Sequence, residues 1–115
     1  LFAENGFPIS ELARLKIGPV AMRDELEYVK EVKLMQELIV TAALAGLSDD
    51  GSRWAIRHEL MRTDDKLCAR VTSTGGWLDL NARKLIVPPQ DLLAVTKMLS
   101  RTEDFSILPS SIKAN

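Results

Sequence analysis

The residues best placed to do chemistry lie between Arg53 and Gly76. Ser73 and Thr74 put two hydroxyls beside Gly75-Gly76, two adjacent positions without side chains. On extended chain that pairing lets a ligand or another backbone approach closely, with hydroxyls able to donate to a carbonyl. The same residues also read as ordinary sheet-face hydroxyls. His58 beside Glu59 invites an acid/base reading, but neighbours on a strand point to opposite faces, so they form no direct dyad. The alternative is a structural histidine bonded to a carbonyl or a neighbouring strand. Arg53, Arg57, Arg62 and Arg70 face an acidic set at Asp24, Glu25 and Glu27. Such charges read as a solvated cross-strand ladder worth roughly 0.2–1 kcal/mol per pair, or as phosphate-holding arginines. Cys68 is the single cysteine, so no intrachain disulfide forms, which suits a reducing cytoplasm. One His and one Cys do not make a Cys/His metal cluster, and no carboxylate spacing predicts a metal.

The elements that must position these residues follow from periodicity and turn residues. Leu1-Phe2-Ala3 reads as a helix end closed by Asn5-Gly6, with the chain restarting at Phe7-Pro8. Ser10 is placed to cap a short helix through about Lys16, stopped by Gly18-Pro19. Val20–Lys30 alternates as a strand, with Val20, Met22, Leu26 and Tyr28 in one phase and Asp24 breaking it. Asp24 is then a strand bend or a polar group aimed at a cavity. Glu37–Leu47 is apolar in both phases and predicts a strand covered on both faces, one of them open to a partner subunit; its alanines also allow a helix, which the β-branched Ile39-Val40-Thr41 ranks second. Asp49–Ser52 turns the chain into Arg53–Thr63, with Trp54, Ile56, His58 and Leu60 in phase. Asp64–Lys66 leads into the long strand Leu67–Leu80. After Asn81–Arg83 comes a short strand, Lys84–Val87, ended by Pro88-Pro89. Asp91 is expected to cap a helix through about Arg101. Glu103–Asn115 reads as a tail in which Phe105, Ile107 and Leu108 pack and the later Ser, Lys and Asn are mobile.

This order predicts one α+β domain over residues 1–115: helix, about five antiparallel strands in a meander, helix. Fifteen basic residues nearly cancel sixteen acidic ones, so no basic field favours nucleic acid. No apolar run approaches a bilayer span, so no membrane partner is expected.

Several strings resemble the hotdog-fold thioesterases, in particular the 4-hydroxybenzoyl-CoA thioesterase-like branch of acyl-CoA thioesterases. They are Phe-Ala-Glu-Asn-Gly-Phe at 2–7, Gly-Pro-Val at 18–20, Glu-Leu-Glu-Tyr at 25–28, Ser-Arg-Trp at 52–54 and Arg-His-Glu at 57–59. The longest is Ala-Arg-Val-Thr-Ser-Thr-Gly-Gly-Trp-Leu-Asp-Leu at 69–80, followed by Arg-Lys-Leu at 83–85 and Pro-Pro at 88–89. The resemblance implies a curved antiparallel sheet wrapped around a helix that is truncated in this chain, with a further C-terminal helix. It implies hydrolysis of an acyl-CoA or acyl-carrier-protein thioester, with coenzyme A part of the substrate and no separate cofactor. It also implies a homodimer or dimer of dimers with the site between subunits. Tyr28 and Trp54 would line the acyl pocket, Ser73, Thr74 and Gly75 would flank the pantetheine, and Arg57 would meet a phosphate. The family's catalytic Asp or Glu belongs to a segment expected upstream of Leu1, so no catalytic residue is assigned here. The family also tends to have Gly-Asp before the second strand, where this chain has Met35-Gln36. The alternative is a non-catalytic hotdog module that binds acyl thioesters or serves as an assembly domain.

Overall fold

The computed structural model describes residues 9–31 and 37–112. The expected helix end at Leu1–Ala3, the restart at Phe7-Pro8, the Met35-Gln36 turn and the last residues of the tail lie outside them. The elements are α1 (Ile9–Leu15), β1 (Ile17–Tyr28), β2 (Leu38–Ser48), β3 (Arg53–Arg62), β4 (Leu67–Asp79), β5 (Lys84–Ile86), α2 (Gln90–Lys97) and β6 (Arg101–Leu108). The long strands form one sheet in the order β1-β4-β3-β2-β6, with β5 extending the end of β4.

β2, β3 and β4 make the predicted meander, since each is joined to the next by a short polar turn. β1 does not join its sequence neighbour β2. It pairs antiparallel with β4, so β4 lies between β1 and β3. Gly18-Pro19 does not stop an element as expected. Both lie within β1, where an edge strand tolerates a proline because its outward side needs no ladder donor. The break ahead of β1 comes instead at Lys16, whose φ of 56° ends α1.

The irregularity at Asp24 has a backbone cause. The β1–β4 register slips between Ala21 and Arg23, which leaves Met22 as the extra residue of a bulge. Pro19 and Ala21 share one face with Asp24, Leu26 and Tyr28, whereas Val20 lies on the other face with Arg23, Glu25 and Glu27. One sequence phase is thus split between two faces.

α2 packs on the face carrying Trp77, which we call the inner face. Trp77 and Leu92 are fully buried there with Leu12, Ile17 and Val95. A second group, Leu44, Leu47, Ile56 and Leu99, continues the core, and the half-buried Trp54 touches both. α2 is shorter than predicted. It begins after Pro89 rather than at an Asp91 cap and ends at Lys97, because the chain must turn there to bury Leu99. Ser100 then accepts a backbone bond from Leu44.

The predicted tail contains a sixth strand. β6 runs parallel to β2 and covers its edge, so the sheet is not wholly antiparallel. Phe105 packs against the second core group, and Leu108 lies over Gly46, where a Cβ would come within 2.9 Å of its side chain. Ile107 is exposed instead of packed. Ser110 and Ser111, expected to be mobile, are tied down. Ser110 donates to Asp50, and Ser111 bonds to Ser52 through both its N–H and its hydroxyl. Asp50 is the hub, accepting also from Ser48, the Ser52 hydroxyl and the Ser52 N–H. Burial raises its carboxyl, but the bonds from Ser110, Ser52 and Ser48 outweigh that and hold it well below the usual carboxylate range.

Candidate functional site

The strand registers set out the inner face in rows. Leu47, Trp54, Gly75 and Ala21 form one; Leu44, Ile56, Ser73 and Asp24 the next; Ala42, His58, Val71 and Leu26 the third; Val40, Leu60, Ala69 and Tyr28 the fourth. Between the first and third rows, beside α2, lies a groove of about 280 Å³ lined by Pro19, Ala21, Trp54, Ile56, His58, Ser73 and Thr96. Its walls are mainly apolar, with a few polar groups converging on it, which is the usual character of a small-molecule site.

Each wall has a local cause. Trp54 lies over Gly75 and is fixed by its indole N–H, which donates to the Gly76 carbonyl at 3.0 Å. A Cβ at Gly75 would overlap the Val20 carbonyl oxygen and come within 2.8 Å of the Trp54 ring. The space left by the diglycine is therefore filled by protein. Gly76 serves similarly on the other face, where a Cβ would meet the Ser52 carbonyl at 2.9 Å and the Met22 methyl at 3.2 Å. Thr96 turns its hydroxyl back to the Leu92 carbonyl at 2.8 Å and presents its remaining surface to the groove. The side chains of His58 and Ser73 make no hydrogen bond with any described residue.

The predicted binding residues separate into three places. Trp54 and Ser73 meet in the groove. Gly75 lies beneath Trp54 as packing. Tyr28 is on the same face but three rows from Trp54 and 80% exposed, in a separate open recess with Val29, Lys30 and Glu31. Thr74 and Arg57 are on the outer face, because they alternate with the groove residues.

The outer face carries Arg57 and Arg70 with their acidic partners. Arg57 donates to the Thr72 hydroxyl at 3.1 Å and to Asp104 at 2.7 Å. That bond lowers the Asp104 carboxyl to about 2. Arg70 pairs with Glu59 at 3.0 Å and approaches Glu27 at 3.7 Å. Arg101 stacks on the Phe105 ring at 4.3 Å. These arginines border a polar basin of about 480 Å³, and the acidic partners of Arg57 and Arg70 neutralise those two. The arrangement is the cross-strand ladder, extended by Asp104 from β6.

Sequence reasoning missed Pro19, Ala21 and Thr96 as groove residues. The bulge at Met22 hid the first two, and nothing in the α2 pattern marks Thr96. His58 was legible, since it shares a phase with Trp54 and Ile56. Among the described residues, no helix is long and apolar enough to cross a membrane.

Comparison with known proteins agrees with this geometry. Residues 1–96 match the Thioesterase-like superfamily. A gentisyl-coenzyme A thioesterase superposes with a TM-score of 0.68 at 18% identity, over 84% of this chain and 72% of that one. A Staphylococcus aureus protein solved in complex with CoA superposes with a TM-score of 0.72 at 16% identity, over 99% of this chain and 72% of that one. The 1,4-dihydroxy-2-naphthoyl-CoA thioesterase from Synechocystis gives 0.70 at 13% identity, over 85% and 72%. No curated protein sequence matches the chain. At these identities the superpositions establish the fold, a hotdog α+β architecture. The match over residues 1–96 establishes more: the chain belongs to the Thioesterase-like superfamily.

Proposed function

We propose that the protein hydrolyses an acyl thioester of coenzyme A or of acyl carrier protein, releasing a free acid and a thiol, with the acyl group in the inner-face groove. One observation carries this reading: a mainly apolar groove, walled by Pro19, Ala21, Trp54 and Ile56 and carrying the Ser73 hydroxyl, on a thioesterase-like sheet. At about 280 Å³ it has room for an acyl arm but not for a whole coenzyme A, so the pantetheine and nucleotide lie outside it. The similarity to the Staphylococcus aureus protein in complex with CoA supports a CoA thioester as the substrate class. In the proposed reaction water adds to the thioester carbonyl and the C–S bond breaks. Trp54 packs against the acyl group, and Ser73 orients it. No described side chain is given the role of base.

β1 offers a twelve-residue outer edge along which a second copy can extend the sheet, so a homodimer is part of the proposal. A reducing, cytoplasmic setting fits the one buried cysteine, Cys68.

The test is thiol release from a panel of acyl-CoA and acyl-carrier-protein thioesters. Release that falls when Trp54→Ala opens the groove wall supports the reading. A folded protein that cleaves no member of the panel rejects it and favours an acyl-binding module.

A further inference from the structure

The turn between β2 and β3 closes around one carboxylate. Asp50 accepts from the hydroxyls of Ser48 and Ser52 and from the Ser52 N–H, at 2.7–2.9 Å. Ser48 in turn accepts the Arg53 N–H at 2.9 Å. Ser48 and Ser52 are buried, so these groups depend on one another rather than on bulk water. Trp54, a wall of the groove, is the next residue along β3. The same turn lies against α2. Gly51, at a φ of 76°, is covered by Leu93 and Pro88, and a Cβ there would overlap the Leu93 side chain. Leu93 stands about one helical turn before Thr96, the wall that α2 supplies.

From α2 the chain returns to the turn. Leu99 is buried with Leu44 and Ile56, and the Leu44 N–H donates to the Ser100 carbonyl at 2.7 Å. β6 then follows the edge of β2, but its ladder is interrupted. Leu44 is opposite Arg101 and the next pair is Gly46 with Ser106, so residues 102–105 stand against Ala45 alone. Serines secure the far end. Ser110 donates to Asp50, while Ser111 donates to the Ser52 hydroxyl at 2.9 Å and to its carbonyl at 3.2 Å. Residues 98–112 thus form a strap, and it lies beyond the residues 1–96 that match the superfamily.

Turn, helix and strap close a ring, and the ring carries two walls of the groove, Trp54 and Thr96. We propose that Asp50 is a positioning residue for the groove. By holding Ser110, and Ser111 through Ser52, it keeps the strap in place, and the strap keeps α2 and Trp54 at the spacing that admits a ligand. A second carboxylate in place of the Ser110 hydroxyl would repel Asp50 and open this clasp. The consequence for an acyl substrate rests on the groove being the acyl site; the positioning itself does not.

The test labels the full chain with fluorotryptophan and reads its two tryptophans by fluorine NMR, with Trp54→Phe assigning the signals. Ser110→Glu is expected to shift the Trp54 signal. Ser110→Ala should shift it less, and Ser110→Thr, which keeps the hydroxyl, should leave it at the wild-type position. Affinity for octanoyl-CoA, measured by calorimetry, should fall in the same order, by roughly three- to thirtyfold in Ser110→Glu. In thiol release the loss should appear in KM with kcat held. Cys68→Ala is the stability control. Cys68 is buried at the far end of β4 from the turn, so its truncation costs stability without touching the ring. It should change neither the Trp54 signal nor the affinity. A wild-type Trp54 signal in Ser110→Glu, or the same shift in Cys68→Ala, overturns the positioning role. If Ser110→Glu does not fold, Ser110→Ala against Ser110→Thr, at an exposed position, decides by the same signal. A Trp54 shift in a protein that binds and cleaves no member of the thioester panel keeps the positioning role and removes the acyl reading. Hydrolysis with no response to the Ser110 variants does the reverse.

Discussion

Gly75→Ala tests the groove at its foundation. The added methyl would overlap the Val20 carbonyl oxygen and crowd the Trp54 ring from 2.8 Å. Overpacking of this kind costs about 1–3 kcal/mol, and the Val20 contact belongs at the upper end because backbone has no rotamer to yield. Alanine returns about 0.5–1 kcal/mol by restricting the unfolded chain. The net expectation is a loss of about 2 kcal/mol, equivalent to a melting temperature about 10 °C lower for a domain of this size. Trp54 must tilt as well, weakening its bond to the Gly76 carbonyl, so its emission should shift in the folded variant. Gly18→Ala is the control. Its Cβ would meet only the flexible Leu80 side chain at 3.4 Å, an ordinary contact, and stability should hold or rise slightly. Urea denaturation followed by circular dichroism and by tryptophan fluorescence measures both variants. A Gly75→Ala protein as stable as wild type, with unchanged emission, would refute the packing of Trp54 over the diglycine.

Further outcomes follow from the same geometry. Trp77 is fully buried at the centre of the first core group, so Trp77→Ala should cost about 3–5 kcal/mol in denaturant titration. The folded Asp50 carboxyl titrates below that of an unfolded aspartate, near 3.9, so its contribution should be complete above about pH 5 and fade as the pH falls through about 4 and below. Asp50→Asn should therefore flatten the acid limb of stability against pH, and amide exchange should show earlier opening at Ser111 and Ile112. Arg57→Ala unties Asp104 on the outer face and should leave kcat/KM for the best thioester unchanged; a tenfold loss would return Arg57 to the substrate. In a second-copy arrangement along β1, replacing Leu26 with proline should shift the species seen by analytical ultracentrifugation toward monomer.

Much of the fold was legible because the strong signals are local. The turns at Asp49–Ser52 and Asp64–Lys66 bound β3 closely, and the Trp54, Ile56, His58 phase identifies the inner face. Three features were not legible. The place of β1 beside β4 is a long-range choice that adjacency in sequence does not carry. The Met22 bulge inserts one residue, and a two-residue period has no way to announce it. β6 looks like a tail because it alternates weakly; its order comes from the edge of β2, the Phe105 contact and the Asp50 hub. The same bulge governs what was seen of the site. Trp54 and Ser73 lie clear of the bulge and line one groove, whereas Pro19 and Ala21 were assigned no role, and Asp24 read as a strand bend or a polar group aimed at a cavity. Arg57 and Thr74 were misplaced for a simpler reason: a strand residue beside a groove residue faces the opposite side.

The most direct measurement of the central claim is the structure of the protein with a non-hydrolysable acyl-CoA analogue. The acyl arm is predicted on the inner face, against Trp54 and Ile56 and within hydrogen-bonding reach of Ser73, with coenzyme A emerging from the groove. An acyl arm seated in the outer basin beside Arg57 and Arg70, or an inner groove that stays empty at saturating analogue, would contradict it.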